Sequence, residues 1–142
     1  MITLNIFEDY SEYTGLRHCN ISDNSGEDFY HRVLNSKFKE AYESNQKLVV
    51  VLDRVDGYAS SFLDEAFGNL VYDYSFEIVK GIVEIISEQE PHWKTMIEEK
   101  TYLQWEKRRK NNEFPKVTAT HNPWSRLINN QIITKVWDYS AN

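Results

Sequence analysis

The chain has 142 residues, 41% hydrophobic, 14% aromatic and 27% charged, with a formal charge of −6 and a pI near 5.2. That length suits one domain with its own core, while the acidic balance argues against a nucleic-acid binder or docking on an anionic membrane. Cys19 is the only cysteine, which excludes an intrachain disulfide, and MITLNIFEDY has neither a basic n-region nor a long apolar run; a cytoplasmic location is expected.

Ile2–Phe7 alternates Ile2, Leu4 and Ile6 with Thr3 and Asn5, the period of a half-buried strand. Leu16–Ile21 is a weaker strand candidate, followed by the loop Asp23-Asn24-Ser25-Gly26. Ser25-Gly26-Glu27-Asp28 fits a capping box. From there Phe29, Val33, Leu34, Phe38, Ala41 and Tyr42 recur at helical spacing, with Lys37, Lys39, Glu40 and Glu43 toward water, until Ser44-Asn45-Gln46. Leu48-Val49-Val50-Val51-Leu52 is a continuous β-branched run, the pattern of a central strand covered on both faces.

Arg54–Ala59 is a connecting loop, and the next helix is predicted over Ser61–Tyr72. Phe62, Leu63, Ala66, Phe67, Leu70 and Val71 form its apolar stripe, opposite Asp64, Glu65, Asn69 and Asp73. Gly68 costs about 1 kcal/mol against Ala inside a helix, so a close contact is expected there. Ser75–Gly81 reads as a short helix or turn, Ile82–Ile86 as a strand, and Glu90–Lys110 as a helix opened by Pro91. Its basic end, Lys107-Arg108-Arg109-Lys110, reads as complementing the helix dipole, with a phosphate-binding or partner-binding patch as the alternative. Residues 113–142 read as an arm or added edge element on a 1–112 domain, with Gln131–Tyr139 as a further strand.

The strand-to-helix junction is the most informative place. Ligands and partners of open α/β sheets meet the carboxyl ends of the strands, and a helix start presents unpaired N–H groups. Ser61-Phe62-Leu63-Asp64 fits a capping box, which leaves Ser60 as the hydroxyl freer for contact or modification. Asp64 and Glu65 point about 100° apart on a helix and cannot form a facing acid–base pair. They read as a solvated face, or as a rim that meets a basic partner.

His18, His31, His92 and His121 show no metal-ligand spacing, and no P-loop, G-x-S-x-G or G-x-G-x-x-G occurs. Neither a metal, a cofactor nor enzyme activity is expected.

The blocks Thr14-Gly15-Leu16-Arg17, Ser25-Gly26-Glu27-Asp28-Phe29 and Gly57-Tyr58-Ala59-Ser60-Ser61-Phe62-Leu63-Asp64-Glu65-Ala66-Phe67-Gly68-Asn69-Leu70-Val71 resemble an uncharacterised STAS-like family of small bacterial or mobile-element proteins. That family is distantly similar to anti-sigma-factor antagonists, and the resemblance covers about residues 1–100. It implies an α/β fold, a STAS-like mixed sheet packed with about three helices. It further implies a non-enzymatic regulatory module that binds a protein partner, such as a histidine-kinase-type ATPase or kinase, through Tyr58–Glu65.

Anti-sigma-factor antagonists carry Asp-Ser-Ser/Thr-Gly at this turn, which puts the phosphoacceptor at Ser60 with Ser61 next to it. Ala59 stands where the Asp does, and Phe62 where the Gly does. The implied partner-binding residues are Asp56, Tyr58, Ser60, Asp64 and Glu65. Two other readings stand beside this one. The strand end could serve a small ligand or nucleotide, or the chain could be a phage or mobile-element protein that inhibits a host protein.

Overall fold

The run Leu48-Val49-Val50-Val51 forms the central strand of a parallel three-stranded sheet, in a computed structural model that describes residues 1–136. β1 (Ile2–Asn5) and β3 (Val83–Ile86) flank β2 (Leu48–Val51), with Ile2 opposite Leu48 and Leu48 opposite Val83. Leu48, Val49 and Val50 are buried, as a strand covered on both faces requires. A single helical turn, α1 (Ile6–Asp9), follows β1 and shortens the expected first strand by two residues.

The expected α/β architecture is found, but the sheet is wholly parallel rather than mixed, and the antiparallel pairing is confined to a separate C-terminal hairpin. Helix α2 covers residues 26–43 with a π turn at Tyr30–Leu34. Then come α3 (Ser60–Tyr74), α4 (Phe76–Ile82) and α5, residues 92–110 with a π turn at Ile97–Thr101. β4 (Trp124–Ile128) and β5 (Gln131–Lys135) turn at Asn129-Asn130, both at positive φ, the conformation short hairpins favour. The expected strand end at Tyr139, and Trp137 with it, lie outside the described residues. Leu16–Ile21 is not a strand; its backbone instead pins the start of α2, with Leu16 and Arg17 carbonyls accepting from Gly26 and Glu27 N–H.

Helix α3 is the axis of the molecule. Twelve of its fifteen residues are buried, so it is a central helix rather than an amphipathic surface one. Its stripe of Phe62, Leu63, Phe67 and Leu70 meets Phe29, Leu34 and Phe38 of α2 in the core. Each such side chain contributes about 1.5–3 kcal/mol when fully buried. The other side, expected to face water, is covered by α5 and β4. Gly68 makes the close contact expected of it: the Trp105 indole lies where a Cβ would stand.

The polar residues on that covered side are therefore paired internally. Asp73 accepts from the Tyr30 hydroxyl and lies 3.8 Å from Arg126. Asn69 donates to the Glu65 carboxylate at 2.8 Å. Residues of the C-terminal segment join this network: Asn35 accepts from the Ser125 N–H at 2.8 Å and donates to its carbonyl at 2.9 Å, as a neighbouring strand would. The Tyr74 hydroxyl bonds Ser125 Oγ at 2.6 Å. In the basic end of α5, Arg109 and Lys110 pair with Glu106, while Arg108 lies 4.1 Å over the Trp105 ring. No helix among the described residues is long and apolar enough to cross a membrane.

Candidate functional site

Because the three strands are parallel, their carboxyl ends share one edge, where Asn5, Val51 and Ile86 stand in register. The loop after β2 is tied down from both sides. Asp53 accepts from the Glu88 and Gln89 N–H groups at 3.2 and 2.9 Å, and Gln89 accepts from the Arg54 N–H at 2.7 Å. The Arg54 guanidinium bonds Glu8 at 2.6 Å and lies 4.6 Å over the Phe7 ring. Arg54 itself sits at φ 75°, a conformation these bonds hold against the usual preference for glycine. The Asp56 N–H reaches the Glu12 carbonyl, and the Tyr58 hydroxyl donates to the Leu52 carbonyl at 2.7 Å. Burial, then the charges of Asp53 and Glu90, hold the Tyr58 phenol well above its ordinary range.

Helix α3 opens at Ser60, one residue earlier than its spacing predicts, and its N-cap is Ala59. The expected cap by Ser61 is not made: the helix start carries no side-chain capping bond. Ser61 already lies within the helical turn, where its hydroxyl cannot reach back over the first N–H groups. Ser60 and Asp56 are exposed, while Tyr58, Ser61 and Asp64 are half-buried. Phe62, at the position of the family's glycine, points inward and stacks on Phe29 with ring centroids 5.6 Å apart. It takes up no room at the surface of the junction.

The acidic pair departs most from its sequence reading. Glu65 is 2% exposed, so it is not a solvated face. Arg17 donates to Asp64 at 2.8 Å and to Glu65 at 3.1 Å, and the Trp105 N–H reaches Asp64 at 3.2 Å. Burial raises the Glu65 carboxyl above its ordinary range, against the opposing pull of Asn69, His18 and Arg17. Spacing along one helix could not show this, because Arg17 lies 48 residues away from Glu65.

A second cluster, not legible in the sequence, centres on the fully buried Glu27. One carboxylate oxygen accepts from Thr118 Oγ1 at 2.6 Å, the Cys19 N–H at 3.2 Å and His18 Nδ1 at 3.2 Å. The other accepts from His121 Nε2 at 2.6 Å and the Thr118 N–H at 2.9 Å. Burial alone would raise this carboxyl, but the bonds from His121, Thr118 and Cys19 hold it well below the usual range.

The ligating atoms of Cys19, Glu27 and His121 lie within 4.8 Å of one another, so the fold assembles a metal-capable trio that the sequence spacing does not display. Both Glu27 oxygens are already saturated by protein donors, and burial pushes the Cys19 thiol up to about 11. A protonated thiol is a poor ligand and nucleophile. The geometry is that of a clasp joining the 18–19 loop, α2 and residues 118–121.

Comparison with known proteins gives one match and two blanks. A family model described as a STAS-like domain of unknown function matches residues 25–93, from the Ser25 cap to the first turn of α5. No curated protein and no solved structure matches the chain. The matched segment contains α2, β2, the junction, α3, α4 and β3, so it carries the central strand and the helix that organise the core. Over residues 25–93, just under half of its length, the chain is similar to a STAS-like domain of unknown function.

Proposed function

We propose that this chain is a non-enzymatic regulatory module that binds a protein partner through the Tyr58–Glu65 junction and is switched by phosphorylation of Ser60. One observation carries the reading: Ser60 is exposed at the first residue of the central helix and serves no capping role there. A hydroxyl not needed by its own helix, on a loop held from both flanks, is available to a partner without loss of structure. Ser61, half-buried, is the second acceptor in rank.

The contact surface in this reading is Asp56, Tyr58, Ser60 and the edge of Asp64, with Glu65 supporting from beneath through Arg17. A phosphate on Ser60 adds about −1.5 to −2 charge next to Asp56 and Asp64, more than the helix start offsets, and drives release. The partner class, a histidine-kinase-type ATPase or kinase, rests on family analogy alone.

The test is binding to such an ATPase encoded beside this chain, with and without ATP. The expected outcome is a complex, phosphate gain on Ser60 with ATP, and binding at least about tenfold weaker for Ser60→Glu. A Ser60→Glu variant that binds as tightly as the wild type overturns the switch.

A further inference from the structure

A cavity of about 300 Å³ lies between the C-terminal half of α3, the π turn of α2 and the β4–β5 hairpin. It is far from the junction, at the other end of the same helix. His31, Tyr72, Trp124, Arg126 and Lys135 line it, and Phe114, 72% exposed, stands at its edge. Two of these residues are unusual. His31 is 7% and Tyr72 3% exposed, yet the His31 Nδ1 and the Tyr72 hydroxyl have no hydrogen-bond partner among the described residues. Buried polar atoms are nearly always satisfied, so two orphans on one cavity mark positions that a bound molecule completes.

The remaining walls set the chemistry of that molecule. Arg126 and Lys135 bring two cationic side chains to one cavity of a protein whose formal charge is −6. The Arg126 guanidinium lies 4.7 Å over the Tyr72 ring, which fixes its plane along the wall. The acid that faces these cations is Asp73, which lies 3.8 Å from Arg126 and already accepts from Tyr30. Burial pushes Asp73 up to about 7, against the pull of Tyr30, Arg126 and Lys135, so it offsets only part of their charge near neutrality. Trp124 packs edge-on against His31 at 4.4 Å, and with Tyr72 it supplies flat aromatic wall. The volume is at the small end for ligand pockets, with room for little more than one ring.

We propose that this cavity binds a small aromatic carboxylate carrying a polar ring substituent. Its carboxylate meets Arg126 and Lys135, its ring lies against Trp124 and Tyr72, and its substituent satisfies the Tyr72 hydroxyl and His31 Nδ1. The site is independent of the junction and stands whether or not Ser60 is a switch.

The test is calorimetric titration of the full chain with anthranilate and salicylate, beside the neutral twin anthranilamide and the neutral heteroaromatic adenine. Saturable one-to-one binding of at least one acid is expected, at least about tenfold tighter than anthranilamide. Arg126→Gln and Lys135→Gln should each weaken it by about tenfold, with circular dichroism unchanged. If Arg126→Gln fails to fold because Asp73 loses its partner, Lys135→Gln decides the question. Absence of saturable binding by both acids overturns the proposal, as does equal affinity for the amide. Binding of adenine alone overturns the anionic assignment.

Discussion

The Glu27 carboxylate accepts a 2.6 Å hydrogen bond from His121, 94 positions later in the chain, and the two side chains are almost wholly buried. His31 stacks on that imidazole, with centroids 4.1 Å apart and planes 15° from parallel. Burial, and the charge of His121, lower the His31 imidazole to about 3, so His31 stays neutral as a packing partner near pH 7. One carboxylate thus fastens the C-terminal segment to the start of α2.

Acid should open this clasp. The folded-state carboxyl of Glu27 lies below its ordinary 4.5, so its stabilisation is complete above about pH 4.5 and is lost as pH falls toward the folded-state value. Glu27→Gln should cost about 3 kcal/mol near pH 7, since His121, Thr118 and Cys19 lose a charged acceptor. It should also flatten the acid limb of stability. Urea unfolding at a series of pH values checks both; parallel curves for wild type and variant would sink the assignment.

The two candidate capping serines should separate cleanly. Ser25 Oγ accepts the Asp28 N–H at 3.1 Å, so Ser25→Ala should cost about 1 kcal/mol. Ser61 makes no cap, so Ser61→Ala should change stability by less than about 0.5 kcal/mol. Equal losses in thermal or chemical unfolding would show that Ser61 caps α3 after all.

Gly68 should resist the usual benefit of alanine in a helix. Helix propensity favours Gly68→Ala by about 1 kcal/mol. The added Cβ, however, would overlap the rigid indole of Trp105, and overpacking costs about 1–3 kcal/mol. Net destabilisation is expected, partly relieved in the double variant with Trp105→Phe. A Gly68→Ala protein more stable than the wild type would contradict the α3–α5 contact.

Local chemistry was enough for some of this. The β-branched run of β2, the Ser25 cap and the apolar stripe of α3 are signals written within a few residues, where steric preference and hydrophobic spacing act directly. The strand-to-helix junction with Ser60 at its start belongs to this class, and the family match runs through it. The false strand at Leu16–Ile21 shows the limit, because a short apolar stretch can serve a loop that hydrogen-bonds a helix start.

The sequence by itself therefore determined that Val49–Phe67 is a buried strand, a tight loop and a helix opening at the serines. Only the tertiary structure decided that Ala59 rather than a serine is the cap, that Phe62 turns inward, and that Glu65 is shielded by Arg17. It likewise decided that Glu27 is buried against His121, 94 positions away, that Asp73 is buried against Tyr30, 43 positions away, and that His31 is buried against the His121 ring. A polar side chain carries no local mark of burial. Its state is set by the charge and donors that distant segments bring to it, and those are known only once the chain has closed around them.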